Sequence, residues 1–194
     1  EVAVASGNGS YNLETARRAI TIRNLLTHTG GMSYGSGPAS REWEAAGFQG
    51  WYFAAKNVPI GESIAQMGAL PLDAHPGEQW IYGYNTDILG AVIEKASGKS
   101  LSEFLTEEIF EPLGMDDTQF YVSDAEAERL ATVYQPDGNG GIEAIPATNG
   151  MRSQGLYIDG PNISFSGGAG LTSTANDYAR FLQMTLNGGQ LDGE

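Results

Sequence analysis

Apolar residues recur at helical spacing near the middle of the chain and predict a helix over 86–96. Their separations of three, four, seven and eight positions place them in one stripe along a helix face; they are Ile88, Leu89, Val92, Ile93 and Ala96. Asn85 or Thr86 can cap the first turn, and Gly98 marks the end. This is the most regular pattern in the sequence.

A second helix is predicted directly after it, over residues 101–110. Ser100 and Glu103 show the capping-box pattern at its start, and Pro112 is expected to break it. Caps, breakers and apolar spacing predict further helices, over residues 21–28, 51–56, 60–70 and 178–186. The last of these has Thr174 as its predicted cap.

Strand signals are sparse by comparison. Residues 131–135 and 142–145 flank a turn rich in Pro, Gly and Asn, which is the pattern of a β-hairpin. Residues 1–20 carry little pattern of any kind. No repeat and no linker interrupts the chain, so residues 1–194 are interpreted as a single unit of mainly α structure with short strands.

The composition adds an acidic balance to this helical pattern. The 194 residues contain 24 acidic and 10 basic side chains, for a net charge of −14. That charge repels phosphate backbones and anionic lipid, so neither nucleic acid nor a membrane surface is expected as a partner. No apolar run approaches the roughly 18 residues of a membrane span. Cysteine is absent, which excludes disulfides and thiolate chemistry.

Serine chemistry has one candidate motif. Gly31–Gly35 matches the G-x-S-x-G sequence that exposes a nucleophile at a strand-to-helix turn, with Ser33 at its centre. A helical pattern precedes the motif and a stretch rich in Gly and Pro follows it, so a structural loop is the favoured interpretation. The other common motif, S-x-x-K, is absent, because Phe, Val and Ala stand three positions before the three lysines.

Metal and nucleotide sites find no support in the sequence. The two histidines, His28 and His75, are far apart and belong to no H-E-x-x-H pattern. Residues 137–143 carry oxygen-bearing side chains at alternating positions, as in a calcium loop, but a polar hairpin tip is the favoured interpretation. No G-x-G-x-x-G follows a strand pattern. We therefore expect no metal and no cofactor.

Four segments, in this order, resemble the serine β-lactamase, penicillin-binding protein and D-alanyl-D-alanine peptidase superfamily, especially its class C-like members. Residues 21–32 resemble the Leu-Leu-Thr-His-Thr signature, and residues 76–94 resemble the catalytic-tyrosine loop with the helix after it. Residues 110–118 and 167–181 match further typical stretches. The spacing from the Pro-Gly turn to the Leu-Gly pair is most similar to the β-lactamase-like carboxylesterases called family VIII.

The resemblance implies a fold that is mainly α within an α+β enzyme: the helical lobe of the β-lactamase/DD-peptidase fold, with short strands. The family carries S-x-x-K before these segments and a K-T-G, H-x-G or W-x-G strand motif after them. No S-x-x-K stands before these segments, in residues 1–20, and none of the three strand motifs stands after them, in residues 182–194. We therefore expect the central part of such an enzyme, lacking most of the α/β sheet lobe. Its partners would be the missing N-terminal and C-terminal parts, and it would be inactive alone.

The resemblance also implies a site. Tyr82 occupies the position of the catalytic tyrosine, which relays a proton between the family's lysine, its serine and the leaving group. Tyr84 and Asn85 are candidate substrate-binding residues. β-Lactamases carry Tyr-x-Asn at this point, whereas here Tyr84 holds the third position and Asn85 comes one place later. That departure favours an ester over a β-lactam as the substrate.

The function expected of the full-length enzyme is hydrolysis of a small ester or amide through an acyl-enzyme. Three alternatives stay open. They are a β-lactamase or D-alanyl-D-alanine peptidase, a non-catalytic binding module of the same superfamily, and a helical domain with none of these activities. The residues by themselves indicate only an acidic, helix-rich globular unit, so the enzyme assignment depends on the resemblance.

Overall fold

The structure, a computed structural model, describes residues 1–50, 53–145 and 156–193. More of these residues lie in helices than in strands, and the named strands form two separate two-stranded sheets. The described secondary structure therefore has more helix than strand, and its strands are short, as the sequence pattern predicts. The helix Asn85–Ser97 packs against the helices Ile22–Leu26, Ile60–Met67 and Leu101–Leu105.

The chain begins with a hairpin that the sequence pattern does not predict. β1 (Val2–Gly7) pairs antiparallel with β2 (Ser10–Glu14). The Ala3 N–H donates to the Leu72 carbonyl at 2.8 Å, which ties the hairpin to the rest of the chain. Only Val2 and Ala3 of these strands are fully buried. The alternation of buried and exposed positions that identifies a strand is therefore missing from the sequence.

Three short helices follow the hairpin. α1 (Ile22–Leu26) begins at its predicted cap, where the Thr21 hydroxyl accepts from the Asn24 N–H at 3.3 Å. α2 (Ser40–Ala45) lies where no helix is predicted. α3 (Ile60–Met67) corresponds to the helix predicted over 60–70 and ends three residues before the expected end at Leu70.

The helix predicted over 51–56 is wrong in the part that the structure describes. From Phe53 onward the chain makes a single turn, closed by the Lys56 N–H on the Phe53 carbonyl at 2.8 Å. Positions 51 and 52, which hold Trp and Tyr, lie outside the described residues. Phe53 is buried in the core. Phe53 of this stretch thus belongs to the core without being part of a helix.

The longest helix is α4 (Asn85–Ser97), which confirms the central prediction. It ends at Gly98, in the left-handed conformation with φ +74°. Its N-cap is Tyr84 and not one of the two predicted residues, and no side chain caps the first turn. Asn85 cannot serve as the cap because its side chain is fully buried and its amide lies near His28.

α5 (Leu101–Leu105) begins at the predicted capping box. The Ser100 hydroxyl accepts from the Glu103 N–H at 3.2 Å, and the Glu103 carboxylate accepts from the Ser100 N–H at 2.9 Å. Leu101 is buried where α5 packs against α4. The two reciprocal hydrogen bonds satisfy backbone donors that the first turn of a helix leaves free.

Helical structure continues past the predicted break at Pro112, so this prediction is wrong. A π-helical turn (Thr106–Phe110) joins α5 to α6 (Glu111–Leu113), and Pro112 lies within α6. The Glu111 N–H donates to the Thr106 carbonyl, five residues back. The hydrogen-bond ladder has therefore already shifted before the proline, and the missing N–H of Pro112 does not interrupt it.

The last third of the chain contains the predicted hairpin and the final helix. The elements are a 3₁₀ turn (Ala127–Arg129), β3 (Tyr134–Pro136), β4 (Ile142–Ala144), α7 (Leu156–Asp159) and α8 (Ala175–Leu186). The two strands pair antiparallel, as predicted, over a shorter length. α8 is capped as predicted, with the Thr174 hydroxyl accepting from the Asp177 N–H at 3.2 Å.

An aromatic core fixes the start of α4. Trp43, Phe48, Phe53 and Tyr84 belong to one buried cluster. Tyr84 stacks on Trp43, with 5.6 Å between the ring centroids and 10° between the ring planes. The Trp43 indole N–H donates to the Pro71 carbonyl at 2.9 Å. The segment just before α4 is therefore anchored in the core at its C-terminal end.

Candidate functional site

Tyr82 lies on a connection that is fixed at both ends. On its N-terminal side, the Ile81 N–H donates to the His28 carbonyl at 2.8 Å and the Gly77 N–H donates to the Thr29 carbonyl at 2.7 Å. On its C-terminal side, α4 begins within three residues. The Tyr82 side chain is 55% exposed. An accessible group on a rigid support meets the geometric requirement of a catalytic or binding residue.

Close backbone packing brings a second loop against this connection. A Cβ on Gly83 would lie 2.4 Å from the Met32 carbonyl oxygen and 2.6 Å from the Ser33 Cα. Any side chain at position 83 would therefore push the two segments apart. Their close approach places Tyr34 beside Tyr82, with 5.7 Å between the ring centroids.

Three rings surround Tyr82. Its ring centroid lies 4.9 Å from that of His28, and 6.1 Å from that of Trp80 at an interplanar angle of 25°. Tyr34 meets it edge-on at 80°. Trp80 is itself 68% exposed. These contacts restrict the rotamers of an exposed side chain, which reduces the entropy that it would lose on engaging a ligand.

An open cleft of about 320 Å³ lies next to Tyr82. It is lined by Tyr34, Tyr82, Gly168 and Ala169. The two small residues belong to the loop before α8, and they leave space in front of the two tyrosines. A cleft of this size is in the range that binds small molecules. The structure thus places the residue that resembles the catalytic tyrosine on the wall of a cleft.

Tyr34 is a site residue that the sequence reasoning misses. Burial raises the pKa of Tyr34 above its ordinary value, and the negative charge of Asp87 and the neighbouring Tyr82 hydroxyl raise it further. Tyr34 is therefore neutral at neutral pH and can exchange a hydrogen bond with Tyr82. The sequence signal that points to Tyr34 is its place between Ser33 and Gly35, inside the G-x-S-x-G motif.

Ser33 does not sit on a nucleophile elbow. It is only 7% exposed; its N–H donates to Asp73 Oδ2 at 2.8 Å, and its Oγ accepts from the Ser36 N–H at 3.0 Å. The motif around it has neither a strand directly before it nor a helix directly after it. The structure therefore shows the structural loop that the sequence favours at Gly31–Gly35.

The two predicted substrate-binding side chains lie behind the cleft. The Tyr84 hydroxyl donates to the Gly50 carbonyl at 2.5 Å, and its ring belongs to the core. Asn85 is fully buried, with its Nδ2 3.4 Å from His28 Nδ1. The structure thus brings Tyr82 to the cleft but not Tyr84 or Asn85. Both side chains are packed within the segment that carries Tyr82. A role of either residue in substrate binding stays a prediction.

A buried carboxyl lies beneath the site. Asp87 is in the first turn of α4 and is fully buried. Burial raises its pKa to about 6, and the hydrogen bond from the Ser166 hydroxyl opposes this effect. The group therefore titrates close to neutral pH. Its charge acts on Tyr34 and on Tyr84, and with burial it raises the pKa of both hydroxyls.

Residues 137–143 form a hairpin tip in which the side chain of Asp137 is already engaged. Asp137 Oδ1 accepts from the Asn139 N–H and the Gly141 N–H, both at 2.8 Å. Across the described part of the chain, no group of three or more His, Asp or Glu side chains could hold a metal ion. Within the same residues, no helix has the length and apolar character needed to cross a membrane.

Comparisons with known proteins match nearly the whole chain. The Beta-lactamase family model matches residues 11–194. Lovastatin esterase of Penicillium rubens is 32% identical over 181 residues, which cover 90% of this chain and 42% of that protein. Esterase EstB of Burkholderia gladioli is 33% identical over 177 residues, which cover 84% of this chain and 44% of that protein.

A solved structure shows the same arrangement of elements. EstCE1, described as a hydrolase with promiscuous acyltransferase activity, superposes with a TM-score of 0.74 at 26% sequence identity. The match covers 98% of this chain and 50% of EstCE1. The chain therefore spans half or less of the length of each of these relatives.

Proposed function

The chain belongs to the Beta-lactamase family, and on this basis we propose that it is the central part of an esterase-type serine hydrolase. The full-length protein would form an acyl-enzyme with a small ester or amide, and water would then release the acid. We assign the helices of this chain to the helical lobe of the family's fold and treat residues 1–194 as one unit within it. Sequence relatives named as esterases support this choice of reaction.

The observation that carries the proposal is the position of Tyr82. Its side chain is the exposed part of a connection whose two ends are fixed, and it lines a cleft together with Tyr34. A tyrosine that served only the core would be buried, as Tyr84 is two residues later. The site is thus arranged to present the Tyr82 hydroxyl to a ligand.

The resemblance supplies the chemistry in which Tyr82 takes part. The serine of an S-x-x-K motif, supplied from outside these 194 residues, attacks the ester carbonyl and loses its hydroxyl proton. Tyr82 accepts that proton and then donates it to the oxygen of the leaving alcohol. Because a tyrosine has an ordinary pKa near 10, the lysine of the motif must lie beside it to favour the phenolate. The same steps with water as the nucleophile release the acid.

The neighbours of Tyr82 have supporting roles in this proposal. Tyr34, which stays protonated, donates a hydrogen bond to the Tyr82 oxygen when that oxygen carries negative charge. Tyr84 and Asn85 contribute to substrate binding indirectly. The Tyr84 ring anchors the segment in the core, and the Asn85 amide lies against His28, which packs on Tyr82.

Acyl transfer to an alcohol is a second candidate, favoured by the relatives. EstCE1 is described as having acyltransferase activity besides hydrolysis. An acyl-enzyme that meets an alcohol before water yields a new ester by the same proton transfers. Supplying p-nitrophenyl butyrate together with 1-butanol and quantifying butyl butyrate against butyric acid separates the two reactions.

The test of the proposal is Tyr82→Phe in the full-length protein. We expect kcat on p-nitrophenyl butyrate to fall by roughly 10² to 10⁴, the usual contribution of general acid–base catalysis. The melting temperature should stay near that of the wild type, because only one hydroxyl on an exposed side chain is lost. Steady-state kinetics and thermal unfolding measure the two quantities.

Two further tyrosine variants serve as controls. Tyr178→Phe alters a tyrosine on the exposed face of α8 and should leave kcat unchanged. Tyr84→Phe removes the hydrogen bond to the Gly50 carbonyl, so it should lower the melting temperature while affecting kcat far less than Tyr82→Phe. Near-full kcat in Tyr82→Phe would exclude the proposed catalytic role and leave a binding module as the better interpretation.

A further inference from the structure

The loop before α8 lies directly on the first turns of α4. A Cβ on Gly167 would lie 2.3 Å from the Thr86 carbonyl oxygen, and one on Gly90 would lie 3.0 Å from the Gly167 nitrogen. A Cβ on Gly168 would lie 2.7 Å from Asp87 Oδ2. No side chain fits between the loop and the helix, so the backbone of the loop follows the surface of α4 closely.

One buried carboxyl organises this contact. The Ser166 hydroxyl donates to Asp87 Oδ1, and its oxygen accepts from the N–H groups of Gly168 at 3.1 Å and Ala169 at 3.0 Å. A serine hydroxyl has one hydrogen and two lone pairs, and this arrangement uses all three. Because Asp87 takes the single hydrogen, the lone pairs are left for the two N–H groups. The carboxylate thereby sets the orientation of the hydroxyl that holds the loop.

The residues held in this way line the cleft. Gly168 and Ala169 form its wall together with Tyr34 and Tyr82, whereas Asp87 is fully buried and is not part of the lining. A segment of glycine and alanine has little side-chain packing of its own, so its backbone is free to adopt several conformations. The position of the wall therefore depends on the hydrogen bonds to Ser166.

We propose that Asp87 is a positioning residue: acting through the Ser166 hydroxyl, it fixes the Gly168–Ala169 wall in the place required for substrate to bind beside Tyr82. This inference rests on the proposed function and adds to it a residue that never touches the substrate. Burying a carboxylate costs free energy, so stability by itself is a poor reason for an aspartate here. Its charge makes the hydrogen bond from Ser166 stronger than one to a neutral acceptor.

The experiment compares Ser166→Ala, Asp87→Ala and Asp87→Asn in the full-length protein. KM and kcat are measured with p-nitrophenyl butyrate, and hydrogen exchange is measured at the Gly168 and Ala169 amides. Ser166→Ala and Asp87→Ala should raise KM about tenfold and change kcat much less, because a misplaced wall weakens binding and leaves the proton relay intact. Exchange of the two amides should rise by about tenfold or more. Asp87→Asn keeps an oxygen acceptor for Ser166, so its KM and the exchange rates of the two amides should lie close to the wild-type values.

The matched control is Ser123→Ala. It removes a hydroxyl that also donates to a carboxylate, Glu126 Oε2 at 2.7 Å, on an exposed part of the chain. This variant should change neither KM nor exchange at Gly168 and Ala169. The proposal is overturned if Ser166→Ala lowers the melting temperature but leaves KM and the exchange rates of these two amides at their wild-type values. Both are measured at a temperature below the unfolding transition.

The outcome is separable from that of the proposed function. Tyr82→Phe tests the proton relay through kcat, whereas Ser166→Ala tests the wall through KM. If the full-length protein hydrolyses no ester, the proposed function fails. The local exchange rates at Gly168 and Ala169 then decide the role of Asp87, with faster exchange in Asp87→Ala supporting it and unchanged exchange refuting it.

Discussion

Two tyrosines two positions apart have opposite surroundings in this protein. Tyr82 is exposed at the cleft and packed by His28, Trp80 and Tyr34, while Tyr84 is buried in the aromatic core with its hydroxyl bound to a carbonyl. The same side chain is therefore accessible to a ligand in one case and part of the core in the other. The chain bends at Gly83, between the two tyrosines and just before α4.

A third residue near this bend makes stability depend on pH. Asp87 has an ordinary pKa of 3.8, and burial raises it to about 6 in the fold. The fold thus favours the neutral carboxyl. The contribution of the neutral Asp87 carboxyl to the free energy of unfolding is fully present below pH 3.8 and is lost as the pH rises through about 6. The whole shift corresponds to roughly 3 kcal/mol. Tyr34 and Tyr84, the titratable groups on which its charge acts, stay neutral in this range because their pKa values are raised.

We therefore predict a pH-dependent difference between the wild type and Asp87→Asn. Urea unfolding gives the free energy of unfolding of each protein at pH 4 and at pH 7.5. The stability of the wild type relative to the variant should decrease by roughly 2 kcal/mol from the lower to the higher pH. A relative stability that stays constant across this range would show that the carboxyl does not titrate as stated.

At the scale of the element, α4 does most to position the site. Its first turn carries Asn85 and Asp87 inward, and the loop before α8 lies on it through Gly90. Four residues of the apolar stripe that predicts this helix are half-buried and Ala96 is exposed, whereas the most buried positions are two polar residues and a glycine. The hydrophobic pattern therefore identifies the helix, whereas polar contacts and close backbone packing fix its place.

Gly90→Ala tests this close packing. Alanine is intrinsically better than glycine inside a helix by about 1 kcal/mol, but a Cβ at position 90 would lie 3.0 Å from both the Gly167 nitrogen and Leu101 Cδ2. We expect the melting temperature to fall. Gly61→Ala in α3 is the matched control, because nothing lies within 4 Å of its added Cβ, and it should be neutral or stabilising. Equal shifts in the two variants would refute the steric argument.

At the scale of the whole molecule, the cleft is formed by segments that are distant in sequence. The loop after α1 supplies Tyr34, the connection before α4 supplies Tyr82, and the loop before α8 supplies Gly168 and Ala169. α4 packs against α1, follows directly on the connection that carries Tyr82, and contacts the loop before α8 through Gly90. One helix therefore couples the parts of the site, which is why a change buried in α4 is expected to alter substrate binding.

The 194-residue chain by itself is predicted not to hydrolyse p-nitrophenyl esters or nitrocefin. It contains no S-x-x-K motif, and Ser33 is buried with its hydroxyl accepting a hydrogen bond from the Ser36 N–H. Release of p-nitrophenol by the purified chain is compared with that by Ser33→Ala. Turnover above background that disappears in Ser33→Ala would identify Ser33 as a nucleophile and contradict this interpretation.

Local chemistry explains which features the sequence predicts well. The caps at Thr21, Ser100 and Thr174 and the helix end at Gly98 appear as predicted, because each depends on one residue and its near neighbours. The turn of the β3–β4 hairpin belongs to the same class. The predicted cap at Asn85 is wrong, because the Asn85 side chain contacts His28, which is distant in sequence, and does not cap α4.

The sequence pattern alone predicts that helices outnumber strands, where α1, α3, α4 and α5 begin and, through its motifs, membership of the Beta-lactamase family. The residues that meet at the cleft follow from tertiary contacts. The G-x-S-x-G motif contains Tyr34, but its place beside Tyr82 and the burial of Tyr84 and Asn85 depend on contacts between segments more than 30 positions apart. The physical reason is that hydrophobic periodicity and capping act over a few residues, whereas a site is built by long-range packing.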